Sequence, residues 1–464
     1  MRASAPIGKV ERMRRPLRRL KALASPADHS SMALGGWSFR RLRELVVVAT
    51  TAGLLLSLGS PPAQAAAVRR TRLGTGRETS GAPALPVVYP RWFTRAAGGV
   101  RDPRVVFTDL DPTDAWAREA IRWVAATNDW MRDYSADEDG TYLFKPDAFA
   151  TRKYVVRSIV RAFAPTELPD PSIVFTDLDP SSPWYRSAAI AVRHGWVRRS
   201  ADGAFLPDAR VTMVDLHRWI VLALGLRPAA RALDHLHTST GTVFHTPRNF
   251  GTTMLGLRLG LRYNFPSGSE SMDVGPSEEL RRAYVAYSLF RATTQPSYSV
   301  SNLLEEYENV ELPHLGPKKI AIVQWGIRYI GYPYYWGGEW GRSIGSQRQP
   351  GFDCSGLTWW LLRRSDDSYP VAPPRPYAGW SLPQRSSADM ARATTARLSY
   401  GRLETGDMMF YDGDDDGVVD HVDTYIGNGY ALDSSSTPGG VTVMWVGDGW
   451  YREHFVYGRR VLRG

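Results

Sequence analysis

The chain has 464 residues, 43% of them apolar, with 57 Lys/Arg, 47 Asp/Glu and a single cysteine. This length and composition predict two or three domains with cores of their own, and one cysteine excludes any disulfide within the chain. Of the net charge of +10, +8 sits in residues 1–65, where 11 basic residues meet 3 acidic ones. The remaining 46 basic and 44 acidic residues give no electrostatic case for a nucleic-acid partner.

Residues 1–65 read as a signal peptide. Arg40, Arg41 and Arg43 precede the apolar run from Leu45 to Gly59, and Ala63-Gln64-Ala65 closes it with a small-x-small pattern. The run has 15 residues, short of the roughly 20 a membrane span needs. No stable membrane anchor is therefore expected after processing, and the product is read as secreted. The stretch ahead of the basic cluster is long for a leader, which makes Met32 an alternative start, and the arginine pair also fits twin-arginine export. Residues 66–101, rich in Gly, Pro, Arg and Thr without periodicity, read as a flexible linker.

A repeat follows. VFTDLDPTDAWAREAIRWV (106–124) recurs as VFTDLDPSSPWYRSAAIAV (174–192), an offset of 68 residues. Both copies continue into an Asp-Gly loop and then an apolar-periodic segment. The spacing predicts helix–loop–helix units at 106–163 and 174–226, with a degenerate third at 252–292, each burying its apolar face against the others. Trp116, Ile121, Val124, Val155, Ile159 and Phe163 fall at helical spacing and are expected in the core. Ser277 is a candidate N-cap for the closing helix.

The Phe-Thr-Asp openings and Asp-Gly-x-Phe-x-Pro-Asp loops resemble the S-layer homology (SLH) domain over residues 102–292. The resemblance implies an all-α module that holds a protein to wall polysaccharide. The family's Thr-Arg-Ala-Glu motif appears as Thr151-Arg152-Lys153-Tyr154 and Thr212-Met213-Val214-Asp215, so only the first copy keeps the arginine. A purely structural module is the alternative.

Residues 293–316 read as a second linker, and a new domain begins near Pro317 with an apolar helical pattern. The only cysteine stands in GFDCSGLTWW (351–360). The run after Cys354 has helix-forming spacing, which places the thiol at a helix N-terminus where free N–H groups and the dipole favour the thiolate. A buried structural cysteine is the ordinary alternative. A nucleophilic thiol needs a base and the base an orienting group. His421 precedes an alternating segment that turns at Gly427-Asn428-Gly429 and returns through YALD, a β-hairpin pattern. A turn centred on Gly427 sets His421 opposite Asp433, within reach of an imidazole–carboxylate bond. A slip of one residue would turn Asp433 to the other face.

GYPYYWGG (331–338), FDCSGL (352–357), SLPQRSSADMA (381–391), GDMMFY (406–411) and HVDTYIGNG (421–429) occur in that order. Together they resemble the NlpC family of papain-like peptidoglycan peptidases over residues 317–464. The resemblance implies an α+β papain-like catalytic domain, N-terminal helices plus an antiparallel sheet, preceded by the all-α SLH-like module. It makes Cys354 the nucleophile, His421 the base, Asp433 the third polar residue and Tyr334 the tyrosine near the thiol. The implied substrate is the peptidoglycan stem peptide, cut at the γ-D-glutamyl–diaminopimelate bond, with no cofactor required. Asp433 departs from the family's usual histidine, and a long insert separates Gly338 from Cys354. A wall-binding protein without activity, or an amidase or acyltransferase on the same scaffold, are the alternatives.

Beside the base, DGDDDGVVDHVD (412–423) matches a calcium loop. Oxygen ligands would come from Asp412, Asp414, Asp416, the Val418 carbonyl, Asp420 and Asp423, with aspartate in place of glutamate at the last position. A solvated acidic turn is the alternative.

Overall fold

The computed structural model describes residues 104–266, 268–340, 350–363, 384–393 and 395–462. The signal peptide at 1–65, the alternative start at Met32 and the linker at 66–101 lie outside these residues, as does 341–349 of the insert. The described residues all belong to one compact unit, Leu85–Gly464. Among them no helix is long and apolar enough to cross a membrane.

Seven helices build the first part: α1 (Arg118–Arg122), α2 (Arg152–Phe163), α3 (Tyr185–Arg193), α4 (Met213–Ala223), α5 (Arg227–Asp234), α6 (Phe250–Arg258) and α7 (Arg282–Thr294). The repeated motif has a local cause. Asp109 accepts from the N–H groups of Phe144 at 2.9 Å and Lys145 at 2.6 Å. Asp177 does the same for Phe205 and Leu206, both at 2.7 Å. Lys145 and Leu206 both have positive φ, so each aspartate holds a strained corner from which the next helix departs.

Three short extended segments close the module. The N–H of Ala150 donates to Leu280 O, that of Leu280 to Val211 O, and that of Val211 back to Ala150 O, at 2.8, 2.8 and 3.0 Å. In each case the helix that follows, α2, α4 or α7, begins two residues later. The third segment thus takes the same place as the first two, although its sequence keeps little of the motif. Trp116 carries the contact from the first repeat to the third, its ring 4.9 Å from Tyr263 and Tyr284. Ser277 does not cap α7. The helix starts only after Arg281, because residues 279–281 are held extended by bridges to Phe149 and Thr212.

The segment 293–316 is not a loose linker. It forms α8 (Ser297–Tyr307), whose Val300, Leu303, Leu304 and Tyr307 are buried. Tyr307 Oη donates to Val443 O at 2.8 Å and accepts from Trp445 N at 3.2 Å. Apolar residues at helical spacing inside a connecting segment found a face to cover.

The second part opens with α9 (Pro317–Gly326) and a two-stranded ribbon, β1 (Glu339–Trp340) with β2 (Gly351–Phe352). Next come α10 (Cys354–Leu362), α11 (Ser387–Ala391), β3 (Arg397–Leu398), β4 (Met408–Tyr411), β5 (His421–Gly427), β6 (Tyr430–Ser435), β7 (Gly440–Trp445), α12 (Gly449–Glu453) and β8 (Phe455–Arg459). The six longer-range strands form an antiparallel sheet in the order β3-β8-β4-β5-β6-β7. One apolar core runs from the helical module through α8 and α9 to α10 and one sheet face. A smaller cluster around Met409, Tyr411, Tyr425 and Ala431 lies on the other.

Candidate active site

Cys354 is the first residue of α10. Asp353 adopts extended backbone geometry and its carboxylate accepts from Gly356 N at 2.6 Å, which starts the helix at the thiol. Ser355 to Leu362 are buried while Cys354 is half-buried, so the helix is anchored by its apolar body and presents its first side chain. Arg385 fastens this corner, donating to Ser355 Oγ at 2.7 Å and to Gly338 O at 3.1 Å, and pairing with Glu339 at 2.5 Å. A cavity of about 340 Å³ opens at the corner that Arg385 fastens, lined by Trp336, Glu339, Asp353, Ser355, Arg385 and Ser387. Neither Arg385 nor Glu339 stood out in the sequence.

His421 is the first residue of β5, paired with Tyr411 of β4. Its Nε2 lies 3.0 Å from Asp433 Oδ1. The predicted contact forms, but not in the predicted register. Thr424 pairs with Leu432, Tyr425 with Ala431 and Gly427 with Tyr430, so Asp433 stands level with Asp423 rather than His421. The turn is the two residues Asn428-Gly429, both at positive φ, as an Asn-Gly turn prefers, and an irregularity follows Tyr425. The hairpin centre therefore moves one residue on. Partners shift by two, the side-chain face is kept, and the imidazole reaches Asp433 diagonally.

Asp423 is the correction with most consequence. It is not a ligand of the acidic loop: fully buried, it sits 3.1 Å from His421 Nε2. Strand alternation placed residues 421 and 423 on one face, a signal present in the sequence but overridden by the loop pattern. In the loop itself Asp412, Asp414 and Asp420 each bring an oxygen within 4.8 Å of the others, which suits a hard cation. Asp416 instead accepts from Val418 N. Asp412 accepts from the N–H groups of Asp416 and Gly417, and Asp420 from that of Gly413.

The electrostatics favour a charged imidazole. Burial pushes His421 down, but the charges of Asp423 and Cys354, with the bonds to Asp423 and Asp433, lift it well above its ordinary value. Asp433 also accepts from Ser435 Oγ at 2.9 Å and Tyr451 Oη at 3.4 Å. Tyr334 comes to the same place from the strap ahead of β1. Its N–H donates to Gly439 O at 3.0 Å, and burial, then the charges of Cys354 and Asp353, push its phenol far up. The four residues singled out in the sequence thus meet at one point. A half-buried thiol at a helix start, facing a base held by a carboxylate, can form a thiolate–imidazolium pair and attack an acyl carbon.

Comparison with known proteins agrees with this architecture. Residues 331–460 match the NlpC/P60 family, and residues 174–212 match the S-layer homology domain. The chain carries an SLH domain ahead of an NlpC/P60 domain, and the latter has the papain-like arrangement of helices and antiparallel sheet. Over 141 residues the chain is 30% identical to the bifunctional muramidase/DL-endopeptidase CwlT of Bacillus subtilis, covering 30% of this chain and 36% of that protein. Over 136 residues it is 30% identical to the murein DD-endopeptidase MepH of Escherichia coli, covering 29% and 43%. The chain therefore spans less than half the length of these relatives. A solved NlpC/P60 protein from Bacillus cereus is 27% identical, covering 32% of this chain and 42% of that one, at a TM-score of 0.25.

Proposed function

We propose that the chain is an exported peptidoglycan hydrolase that cuts an amide bond of wall stem peptides, at the γ-D-glutamyl–diaminopimelate link. The observation that carries this reading is Cys354 at the head of α10 beside a histidine held by Asp433. The DL-endopeptidase relative supports it, and the DD-endopeptidase relative supports only the wider class of peptidoglycan endopeptidase. Cys354 Sγ attacks the carbonyl, and the backbone N–H groups at the helix start receive the oxyanion. The imidazolium gives its proton to the leaving amine, and a thioester remains. His421 then takes a proton from water, which displaces the thiol.

The helical module is read as holding the enzyme to wall polysaccharide. Supporting this is a cavity of about 460 Å³ lined by Thr212, Asp215, Arg248 and Asn249 of the repeats and by Arg328 and Tyr332 of the catalytic part. The chain is accordingly assigned to the cell wall outside the membrane. Calcium enters only as a structural ion at Asp412, Asp414 and Asp420, and no step runs through it.

Digestion of diaminopimelate-type peptidoglycan, with Cys354→Ala as control, tests the assignment by mass spectrometry of released fragments. Products ending in γ-D-glutamate support it. Products ending in D-alanine indicate the DD bond, products lacking the lactyl-linked peptide indicate an amidase, and no difference from the control sinks the hydrolase reading.

A further inference from the structure

The base carries one carboxylate more than a Cys-His-Asp site needs. His421 Nε2 faces Asp433 Oδ1 at 3.0 Å and Asp423 Oδ1 at 3.1 Å. Both carboxylates are fully buried. One ring N–H cannot satisfy two acceptors fully, and two adjacent carboxylates in a buried site cannot both ionise at ordinary pH. Their surroundings differ in a way that decides where a proton goes. Asp433 Oδ2 receives two hydroxyl groups, from Ser435 and Tyr451. Asp423 Oδ2 is buried and makes no hydrogen bond of ordinary geometry, the Tyr411 phenol being the hydroxyl that acts on this carboxylate. Asp433 is equipped to be the anion and Asp423 is not.

Resting on the hydrolase reading for its role, we propose that Asp423 is a second positioning residue of the base: it and Asp433 act as one pair that shares a proton and clasps His421 between them. The titratable groups that act on this pair or on the imidazole it holds are Cys354 at the start of α10, Tyr334 from the strap, Tyr411 from β4 and Tyr451 from α12. Against these neutral or negative groups the imidazolium is the cation. Burial, then the charge of Asp433, raises Asp423 to about 7, so the shared proton leaves near neutrality. Below that point one negative charge balances the imidazolium. Above it two do, and the thiolate beside them sits in a more negative field. The reactivity of Cys354 should therefore change once with its own ionisation and again with the pair.

The test is the rate of Cys354 alkylation by iodoacetamide in the full chain between pH 5 and 9, beside kcat/KM for stem-peptide hydrolysis. Wild type is expected to show an inflection near pH 7, worth at least a twofold change in alkylation rate, in addition to thiolate formation. Asp423→Asn is expected to lose that inflection with KM unchanged, and Asp433→Asn to lose it as well while slowing hydrolysis. Superimposable wild-type and Asp423→Asn profiles would overturn the inference. So would a wild-type profile with a single ionisation, which decides the matter even if neither variant folds. Alkylation needs no substrate: an inflection without hydrolysis upholds the pair and fells the peptidase assignment, and hydrolysis without the inflection does the reverse.

Discussion

The guanidinium of Arg262, in the third helical repeat, donates to the carbonyl oxygen of Gly331 at 2.6 Å, in the strap that leads to Tyr334. The same side chain donates to Val274 O at 3.2 Å and Tyr332 O at 3.3 Å, and to Gly439 O. It is buried, and burial draws it down to about 10. Gly439 O in turn accepts the N–H of Tyr334. A residue of the helical module thereby holds the strap and the turn before β7, the two segments that meet at the N–H of Tyr334. The two modules are one folding unit, joined also by Tyr307, by Arg258 with Glu306, and by Tyr430 Oη on Glu306 O.

Arg262→Met leaves Gly331 O and Val274 O without a donor, while Gly439 O keeps the N–H of Tyr334 and Tyr332 O that of Val441. Each buried acceptor so exposed costs about 1–3 kcal/mol, partly offset by no longer burying the charge. We expect a net loss of about 3 kcal/mol in denaturant melts, with kcat/KM falling. Arg262→Lys should recover only part of either, since one ammonium cannot reach carbonyls on three segments. Unchanged melting in Arg262→Met would contradict this account of the interface.

Cys354→Ala is expected to abolish stem-peptide hydrolysis, and His421→Ala to lower kcat/KM by a factor of about 10³ or more. Cys354 is half-buried at a helix start, so its replacement should leave Tm almost unchanged. Product release by mass spectrometry and a thermal melt on the same samples separate lost chemistry from lost folding.

Asp273 gives a pH effect far from the site. It is buried, and burial raises it to about 7 although Phe265 N donates to it at 2.8 Å. The folded value lies above the unfolded one. The folded chain therefore holds a proton that the unfolded chain lacks between about pH 4 and 7, and this contribution to stability declines as pH rises through that window. Asp273→Asn cannot ionise, so it should gain on wild type from about pH 4 to 7 and keep that lead at higher pH. Parallel stability curves for the two proteins would refute the shift.

Calcium and the base are expected to be separable. Asp412, Asp414 and Asp420 cluster on the loop, whereas Asp423 faces the imidazole. Millimolar calcium should raise Tm through binding to the folded state alone. Asp414→Asn should remove that rise and Asp423→Asn should keep it, with the pH dependence of hydrolysis unaffected by the ion. A rise in Tm lost with Asp423→Asn would return that residue to the loop.

Several features were legible because they depend on near neighbours in the chain. The apolar run after Asp353-Cys354 sets a helix start, and the Phe-Thr-Asp motif recurs because each aspartate must hold the same loop corner. The alternation after His421 is enough to form a strand. Other assignments failed where a local pattern had two uses. The acidic run 412–423 fits a metal loop along its length, yet its last aspartate is strand, and the sheet decides what a strand residue faces.

By itself, then, the sequence determined the helix that starts at Cys354, the strand that starts at His421, the face on which Asp433 lies and the presence of helical repeats, since spacing of one to four residues dictates helix, turn and strand face. Only the tertiary structure decided the hairpin register, the pairing of Asp423 with Asp433, the docking of α8 and the grip of Arg262 on Gly331. Those rest on contacts between residues far apart in the chain, where a hydrogen bond forms or fails by an ångström, and no periodicity encodes such a distance.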